Sequence, residues 1–357
     1  MEDRYLGLDG HSPSCTLGVV GPSGKRLKSL VVETKGAALV EAVRSIPGRR
    51  HLCLEEGELS AWLCELLEPH VVELVVTVPQ TSRAAKDDLR DAFARAEELR
   101  THAIATRVYK APLHLTPLKN AVRAYGMAVQ DTTRAKTRLK SVLRSRGILA
   151  DSSLYHKESR ERWLAQLPPA HRLLAEWLGE ELDQLLPLRE KAEQWLLKES
   201  RTHPIIRKLE TAPGMGPIRT AQLMAIVADP HRFRTRQQFW SYCGLGIVTR
   251  SSSDWMQDKT GRWVRAVVPQ TRGLTRRRHP LLKSVFKGAA TTVIAQPTHP
   301  LHADYQRRLQ SGIKPNLAKL TLARRIAATV LAMWKRQEVY DPERHTVITQ
   351  TESTASM

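Results

Sequence analysis

The sequence predicts an α/β domain followed by mainly helical ones, and three observations carry that expectation. Residues 1–100 alternate short apolar runs, bounded by turn signals, with helical stretches. Residues 117–200 instead repeat apolar side chains at helical spacing almost without interruption. Within the first part, Asp9 and Glu55 each end an apolar run, and Asp88 and Asp91 stand three apart on one helical face.

Each element follows from local pattern. Residues 5–9, 16–20 and 27–33 read as successive strands, with turns at Gly10-His11-Ser12 and Gly21-Pro22-Ser23-Gly24. A helix over 37–45 follows, then a strand over 51–55, a helix over 59–67, a strand over 71–78 ended by Pro79, and a helix over 84–100. Three strands followed by alternating helix and strand is the order of the ribonuclease-H-like fold, a mixed sheet whose acidic residues gather at one edge.

Beyond it, Leu118, Val122, Tyr125 and Val129 recur at helical spacing, and Leu139, Val142 and Leu143 continue the stripe. Lys136, Arg138, Lys140, Arg144 and Arg146 line the other side. A second helical run over 171–198 spaces Leu173, Leu174, Trp177, Leu178, Leu182, Leu185 and Leu188 in the same way, and Pro187 predicts a kink or break in it. Joined near Gly147 and Asp151, the two runs predict a helical hairpin or coiled coil, suited to a spacer or a dimer contact.

From residue 205 the character changes again. Gly214-Met215-Gly216 precedes a helix over 219–227 and reads equally as half of a helix-hairpin-helix or as a plain tight turn. A helix over 237–243 runs into Gly244-Leu245-Gly246 and the cluster Ser251-Ser252-Ser253; basic segments over 272–278 and 283–292 follow, then a last helix over 316–335. The expected domains are therefore 1–110 (catalytic α/β), 111–204 (helical arm), 205–340 (serine-bearing, mainly helical) and a disordered tail over 341–357.

Composition narrows the function. With 357 residues, 41% of them hydrophobic, the chain can bury a real core. It has no eighteen-residue apolar run and opens on Met1-Glu2-Asp3-Arg4, neither a membrane span nor a signal peptide. Cys15, Cys53, Cys64 and Cys243 lack paired metal-ligand spacing and fit packed thiols in a reducing compartment. The expected location is the cytoplasm, associated with the nucleoid. A net charge of +20 favours a polyanion, and nucleic acid is the polyanion a basic chain of this kind meets. With only 5% aromatic residues, phosphate contacts rather than base stacking should carry the binding.

Two constellations carry chemistry. Carboxylates that end buried strands are costly unless compensated by positive charge. A pair of divalent metals on Asp9, Glu55, Asp88 and Asp91 supplies it, and such pairs cleave phosphodiesters. Glu56 and Asp87 adjoin the favoured residues, and spacing leaves them open. The serine cluster lies among Arg250, Lys259, Arg262, Arg265, Arg272 and Arg276 to Arg278, the cations that a serine attacking a phosphodiester needs. No Gly-x-Ser-x-Gly elbow is present, and His279 reads as a loop or phosphate contact rather than a base.

Taken in order, Tyr5-Leu6-Gly7-Leu8-Asp9, Leu54-Glu55-Glu56-Gly57, Lys86-Asp87-Asp88-Leu89-Arg90-Asp91-Ala92, residues 209–216 and 239–245, Ser251-Ser252-Ser253 and Gly288-Ala289-Ala290 resemble the insertion-sequence-110 transposases, the bridge-RNA-guided serine recombinases. The resemblance covers residues 4–335. It implies a RuvC-like domain in which Asp9, Glu55, Asp88 and Asp91 bind Mg²⁺, and a second domain whose nucleophile is Ser252 or, next, Ser251. It also implies a covalent phosphoserine intermediate, target and donor DNA as substrates, a structured guide RNA, and a dimer or tetramer. In place of the glycines of many family members, Ser253-Asp254-Trp255 follows the first two serines. The alternative is a metal-dependent, Holliday-junction-type nuclease with water as nucleophile; a non-catalytic basic scaffold is a third.

Overall fold

The apolar runs at the start of the chain pair into one five-stranded sheet. In the computed structural model, which describes residues 2–79, 87–249, 255–265, 271–276 and 278–343, the chain forms two compact units, Met1–Leu113 and His114–Met357. The first contains β1 (Asp3–Gly10), β2 (Ser14–Val20), β3 (Arg26–Glu33), α1 (Gly36–Arg44), β4 (Arg49–Glu55), α2 (Ser60–Leu67), β5 (Glu73–Thr77) and α3 (Asp88–Arg100). The sheet order is β3-β2-β1-β4-β5, antiparallel between β1, β2 and β3 and parallel between β1, β4 and β5. This is the mixed sheet of a ribonuclease-H-like fold.

Side-chain alternation along the strands sorts the two faces. Leu6 and Leu8 of β1 and Leu52 and Leu54 of β4 are buried with Leu39 and Val43 of α1 and Leu63 and Leu67 of α2. On the opposite face, Cys53 packs with Val75 and Leu99, and Val20 packs with Phe93 and Ala96, so α3 covers that side. Gly7 lies under α3: a Cβ there would stand 1.9 Å from the Ala92 carbonyl oxygen and 2.7 Å from the Ala96 amide nitrogen. Small residues at these three positions let helix and strand meet backbone to backbone. Helix α3 starts at Asp88 because the Asp87 carboxylate caps it, accepting from the Leu89 amide at 3.0 Å and the Arg90 amide at 3.3 Å. The expected start at residue 84 lies outside the described residues.

The second unit is mainly helical. Helices α4 (Thr116–Arg144) and α6 (Pro169–Ser200) pack along each other, with α5 (Lys157–Leu164) against α6. Ala135, Leu139, Leu143, Ala175, Leu178 and Leu182 form their shared core. Arg160 of α5 is buried and makes a bidentate ion pair with Asp183 of α6, at 2.9 and 2.6 Å.

Of the kink or break expected at Pro187, the break does not occur, since α6 is one helix through that residue. The Pro187 ring is exposed, and the helix is buried on both sides of it, at Leu182 before and Leu196 after. The apolar stripe of α6 is also narrower than expected. Leu173, Leu174, Trp177 and Leu188 are exposed, and the small residues Ala175 and Gly179 face inward beside Leu178 and Leu182.

Helices α7 (Pro204–Glu210), α8 (Pro217–Val227), α9 (Arg236–Tyr242), α10 (Pro280–Ile294), α11 (Pro300–Gln310) and α12 (Pro315–Arg336) complete the unit. Phe239 and Phe286 meet edge to face in its core at 5.8 Å, both fully buried. Two small ribbons interrupt the helices: β6 (Ile247–Thr249) pairs with β9 (Thr271–Leu274), and β7 (Trp255–Gln257) pairs with β8 (Trp263–Arg265). Among the described residues, no helix is long and apolar enough to cross a membrane.

Candidate metal centre

Parallel pairing of β1 with β4 decides where the first two carboxylates lie. Leu8 and Leu54 are partners in the ladder, so Asp9 and Glu55, each one residue further on, close neighbouring strands at the same end. Alternation puts both on the face that α3 covers, in register with Gly7 and Cys53. The contact at Gly7 then brings the first turn of α3 to the same edge, and with it Asp88 and Asp91.

The structure brings Asp9 and Asp88 together through a residue that the sequence pattern did not single out. The Nε2 of His11, two residues beyond Asp9, lies 3.1 Å from the Asp9 Oδ2 and 3.6 Å from the Asp88 Oδ1. One ligand atom from each of Asp9, His11 and Asp88 falls within 4.8 Å of the other two. The Asp9 side chain is only 10% exposed, whereas that of Asp88 is 54% exposed, so the centre opens to solvent on the α3 side.

Glu55 is engaged differently. The Nη2 of Arg95, one turn after Asp91 on α3, forms an ion pair with the Glu55 carboxylate and lies 3.9 Å from the Asp9 Oδ1. The Arg95 Nη1 donates to the Asp91 carbonyl oxygen at 2.8 Å. The half-buried Asp91 thus adjoins the centre through its backbone. A signal for both added residues was present in the sequence: His11 sits at i+2 from Asp9, and Arg95 continues the helical face of Asp88 and Asp91 at i+7 and i+4.

The neighbouring acids have other partners. Glu56 forms an ion pair with Lys110 and accepts from the Ser60 hydroxyl at 3.2 Å, and Asp87 is spent on capping α3. Asp9, His11, Glu55, Glu56 and Ser60 line one open cleft. Carboxylate oxygens with one imidazole fit a hard or borderline divalent ion, and the cationic Arg95 already lodged between Glu55 and Asp9 shows that the edge accepts positive charge.

In the second unit, Ser251, Ser252 and Ser253 lie outside the described residues, as do Arg250 and Arg277. The chain turns at Gly244, whose φ is +71° and where a Cβ would stand 2.1 Å from the Arg278 Cδ, stays buried at Leu245 and reaches the surface at Ile247. His279 caps α10 without a side-chain bond, and burial pushes its imidazole below the usual pKa, favouring the neutral ring. The Gly-x-Gly turn serves packing at its first glycine: Gly214 has φ +68°, a Cβ there would lie 2.3 Å from the Ala289 carbonyl oxygen, and its own carbonyl accepts from Arg219 at 2.7 Å.

Comparison with known proteins bears on both units. Residues 6–147 match the model of a transposase domain of the IS110 type that is defined by an Asp-Glu-Asp-Asp set. Residues 206–306 match the model described as transposase IS116/IS110/IS902 family. A 44.8 kDa insertion element IS116 protein of Streptomyces clavuligerus, itself named as uncharacterized, is 29% identical over 162 residues. That stretch is 44% of this chain and 37% of the relative, so the match spans well under half of the relative's length. Residues 6–147, which hold the sheet with its acidic edge, and residues 206–306 of the later helical region are each matched by a domain model of one family: the chain belongs to the IS110 family of transposases.

Proposed function

We propose that the chain is a DNA recombinase of a mobile element, cutting and exchanging strands through a metal centre on Asp9, Glu55, Asp88 and Asp91 and a serine nucleophile, Ser252 or Ser251. The observation that carries it is the convergence of Asp9, Glu55 and Asp88 at one edge of the mixed sheet, on a chain of net charge +20. The capping role of Asp87 supports the choice of Asp88, and the position of Glu55 beside Asp9 at the ends of paired strands supports the choice of Glu55.

Divalent metal held there, Mg²⁺ in this reading, would polarise the scissile phosphate and favour the ionised form of a nearby hydroxyl. The chain's own residues do the rest. Asp9, closing a central strand and nearly buried, is the fixed carboxylate of the set. The serine Oγ would attack phosphorus as the P–O bond to one sugar breaks, the hydroxyl proton ending on the departing sugar oxygen, which leaves a phosphoserine ester and a free strand-end hydroxyl. Attack by the hydroxyl of another strand reverses the step and rejoins DNA with no net loss of phosphodiester energy. Arg262, Arg276 and Arg278, near the serines in sequence, suit the charge that develops on phosphorus.

Target and donor DNA, with a structured guide RNA that specifies them, are the partners of this reading, and the chain acts as a dimer or tetramer. RNA would be read through shape and phosphates. The α4–α6 hairpin, as a coiled-coil arm, would join subunits. The test is a covalent adduct between the chain and end-labelled DNA, resistant to boiling in detergent. An adduct lost in S252A or S251A, and in D9N, supports the reading. Metal-dependent cleavage that persists in both serine variants with no adduct supports water as the nucleophile and a junction nuclease instead.

A further inference from the structure

Arg95 brings a permanent positive charge into a centre whose carboxylates are there to hold cations. Its side chain is 12% exposed, and three groups fix it: the Glu55 carboxylate, the Asp9 Oδ1 at 3.9 Å, and the Asp91 carbonyl oxygen at 2.8 Å. A guanidinium stays charged at any working pH. Its backbone cannot retreat, because Ala92 and Ala96, on the same helix, are pressed against Gly7 of β1.

The two oxygens of Asp9 divide the centre. Oδ1 is the one nearer the guanidinium, and Oδ2 is the one at 3.1 Å from the His11 Nε2, which in turn is 3.6 Å from the Asp88 Oδ1. Asp9 is therefore placed as a carboxylate between two cation positions, the arrangement of a two-metal site. One of those positions is filled by the protein itself. We infer that this centre takes a single divalent ion, on the side of Asp9 Oδ2, His11 Nε2 and Asp88 Oδ1, and that the Arg95 guanidinium supplies the second positive charge on the Glu55 side.

The inference rests on the metal-centre reading and narrows it: Glu55 holds the guanidinium in place of an ion. A second dication between Glu55 and Asp9 would have to expel the guanidinium, leaving a poorly solvated cation stripped of both carboxylates. Kept in place, the guanidinium can do by hydrogen bonding what a second ion does by ligation, since its planar fork suits the oxygens of a phosphodiester. A cation built into α3 is also present at any metal concentration, so metal loading is expected to follow a simple one-site curve.

The experiment is a Mn²⁺ titration of the full chain, followed by calorimetry for stoichiometry and by electron paramagnetic resonance for spin coupling between neighbouring ions. The wild-type chain is expected to bind one ion at this centre with an uncoupled signal, and D9N to lose it. R95Q removes the charge and is expected to bind two ions with a coupled signal, while R95K keeps the charge and stays at one. Circular dichroism establishes that each variant is folded, and R95L serves if R95Q is not. Two ions in the wild type, or one ion in a folded, charge-free variant, overturns the inference and leaves the metal centre standing. No D9N-sensitive ion in the wild type overturns the metal-centre reading itself.

Discussion

Gly7 of β1 and Ala92 of α3 meet with no room for a side chain between them, since a Cβ on Gly7 would lie 1.9 Å from the Ala92 carbonyl oxygen. That contact is what delivers Asp88, Asp91 and Arg95 to the strand end that carries Asp9. Gly7→Ala is expected to force the helix off the sheet, costing about 3 kcal/mol as overpacking in a close-packed interior. It should also weaken metal binding without touching a ligand. Thermal unfolding with and without Mn²⁺ measures both effects, and an unchanged midpoint would show that the contact is not tight.

The ligand set is tested by the pair Glu55 and Glu56. E55Q is expected to lower DNA cleavage by roughly a hundredfold or more, as loss of a metal ligand or its partner does. E56Q removes only the charge that pairs with Lys110 and leaves an amide oxygen to accept from Ser60, so activity should stay within about threefold. Equal losses in single-turnover cleavage would move Glu56 into the centre.

The helical arm depends on one buried pair. Arg160 is nearly inaccessible and its guanidinium is held by Asp183 on α6, with the Gly179 Cα beneath it. Asp183→Ala strands that charge and is expected to cost about 3 kcal/mol. Gly179→Ala puts a methyl 2.7 Å from the Arg160 Nη1 and should destabilise the arm through the same pair. Denaturant unfolding measures both, and additive losses in the double variant would mean that the two sites are independent.

The thiols give a pH signature. Burial pushes Cys53 and Cys64 up to about 11 from the ordinary value of 9.0, and pushes Cys243 well above it. Between pH 9 and 11 the unfolded chain releases these protons while the folded chain retains them. Stability is therefore full below pH 9 and is lost as pH rises through that window. C53A and C64A should flatten the alkaline slope of unfolding midpoint against pH. In the native state at pH 8 the three thiols should resist a disulfide exchange reagent, and prompt reaction would show that burial does not protect them.

Binding to DNA should fall steeply with salt, since net charge +20 and low aromatic content make phosphate contacts the main term. A plot of log affinity against log salt with a slope shallower than about −3 would rule that out.

Much of the first unit was legible from the chain. Alternation of Leu6, Gly7, Leu8 and Asp9, and of Leu52, Cys53, Leu54 and Glu55, marks two-faced strands whose last residues share one side. The order of elements then limits the sheet to few topologies. The helical arm was less legible. Leu173, Trp177 and Leu188 recur as regularly as Leu178 and Leu182, yet α4 covers only the second set. Periodicity shows that a helix has an apolar face; it does not say which of two apolar faces the neighbour occupies. Pro187 does not end α6, because the cost of a proline inside a helix is weighed against the packing of the helix on both sides of it.

Local chemistry decided the strands, the helices and the four carboxylates, because propensity, alternation and charge act between residues near in sequence. The partners of the neighbouring glutamates come only from contacts across the fold. Glu56 turns to Lys110, 54 residues away, and Glu55 to Arg95, 40 residues away. Both choices rest on ion pairs whose energy depends on distance and burial, and neither quantity exists until β1, β4 and α3 are packed.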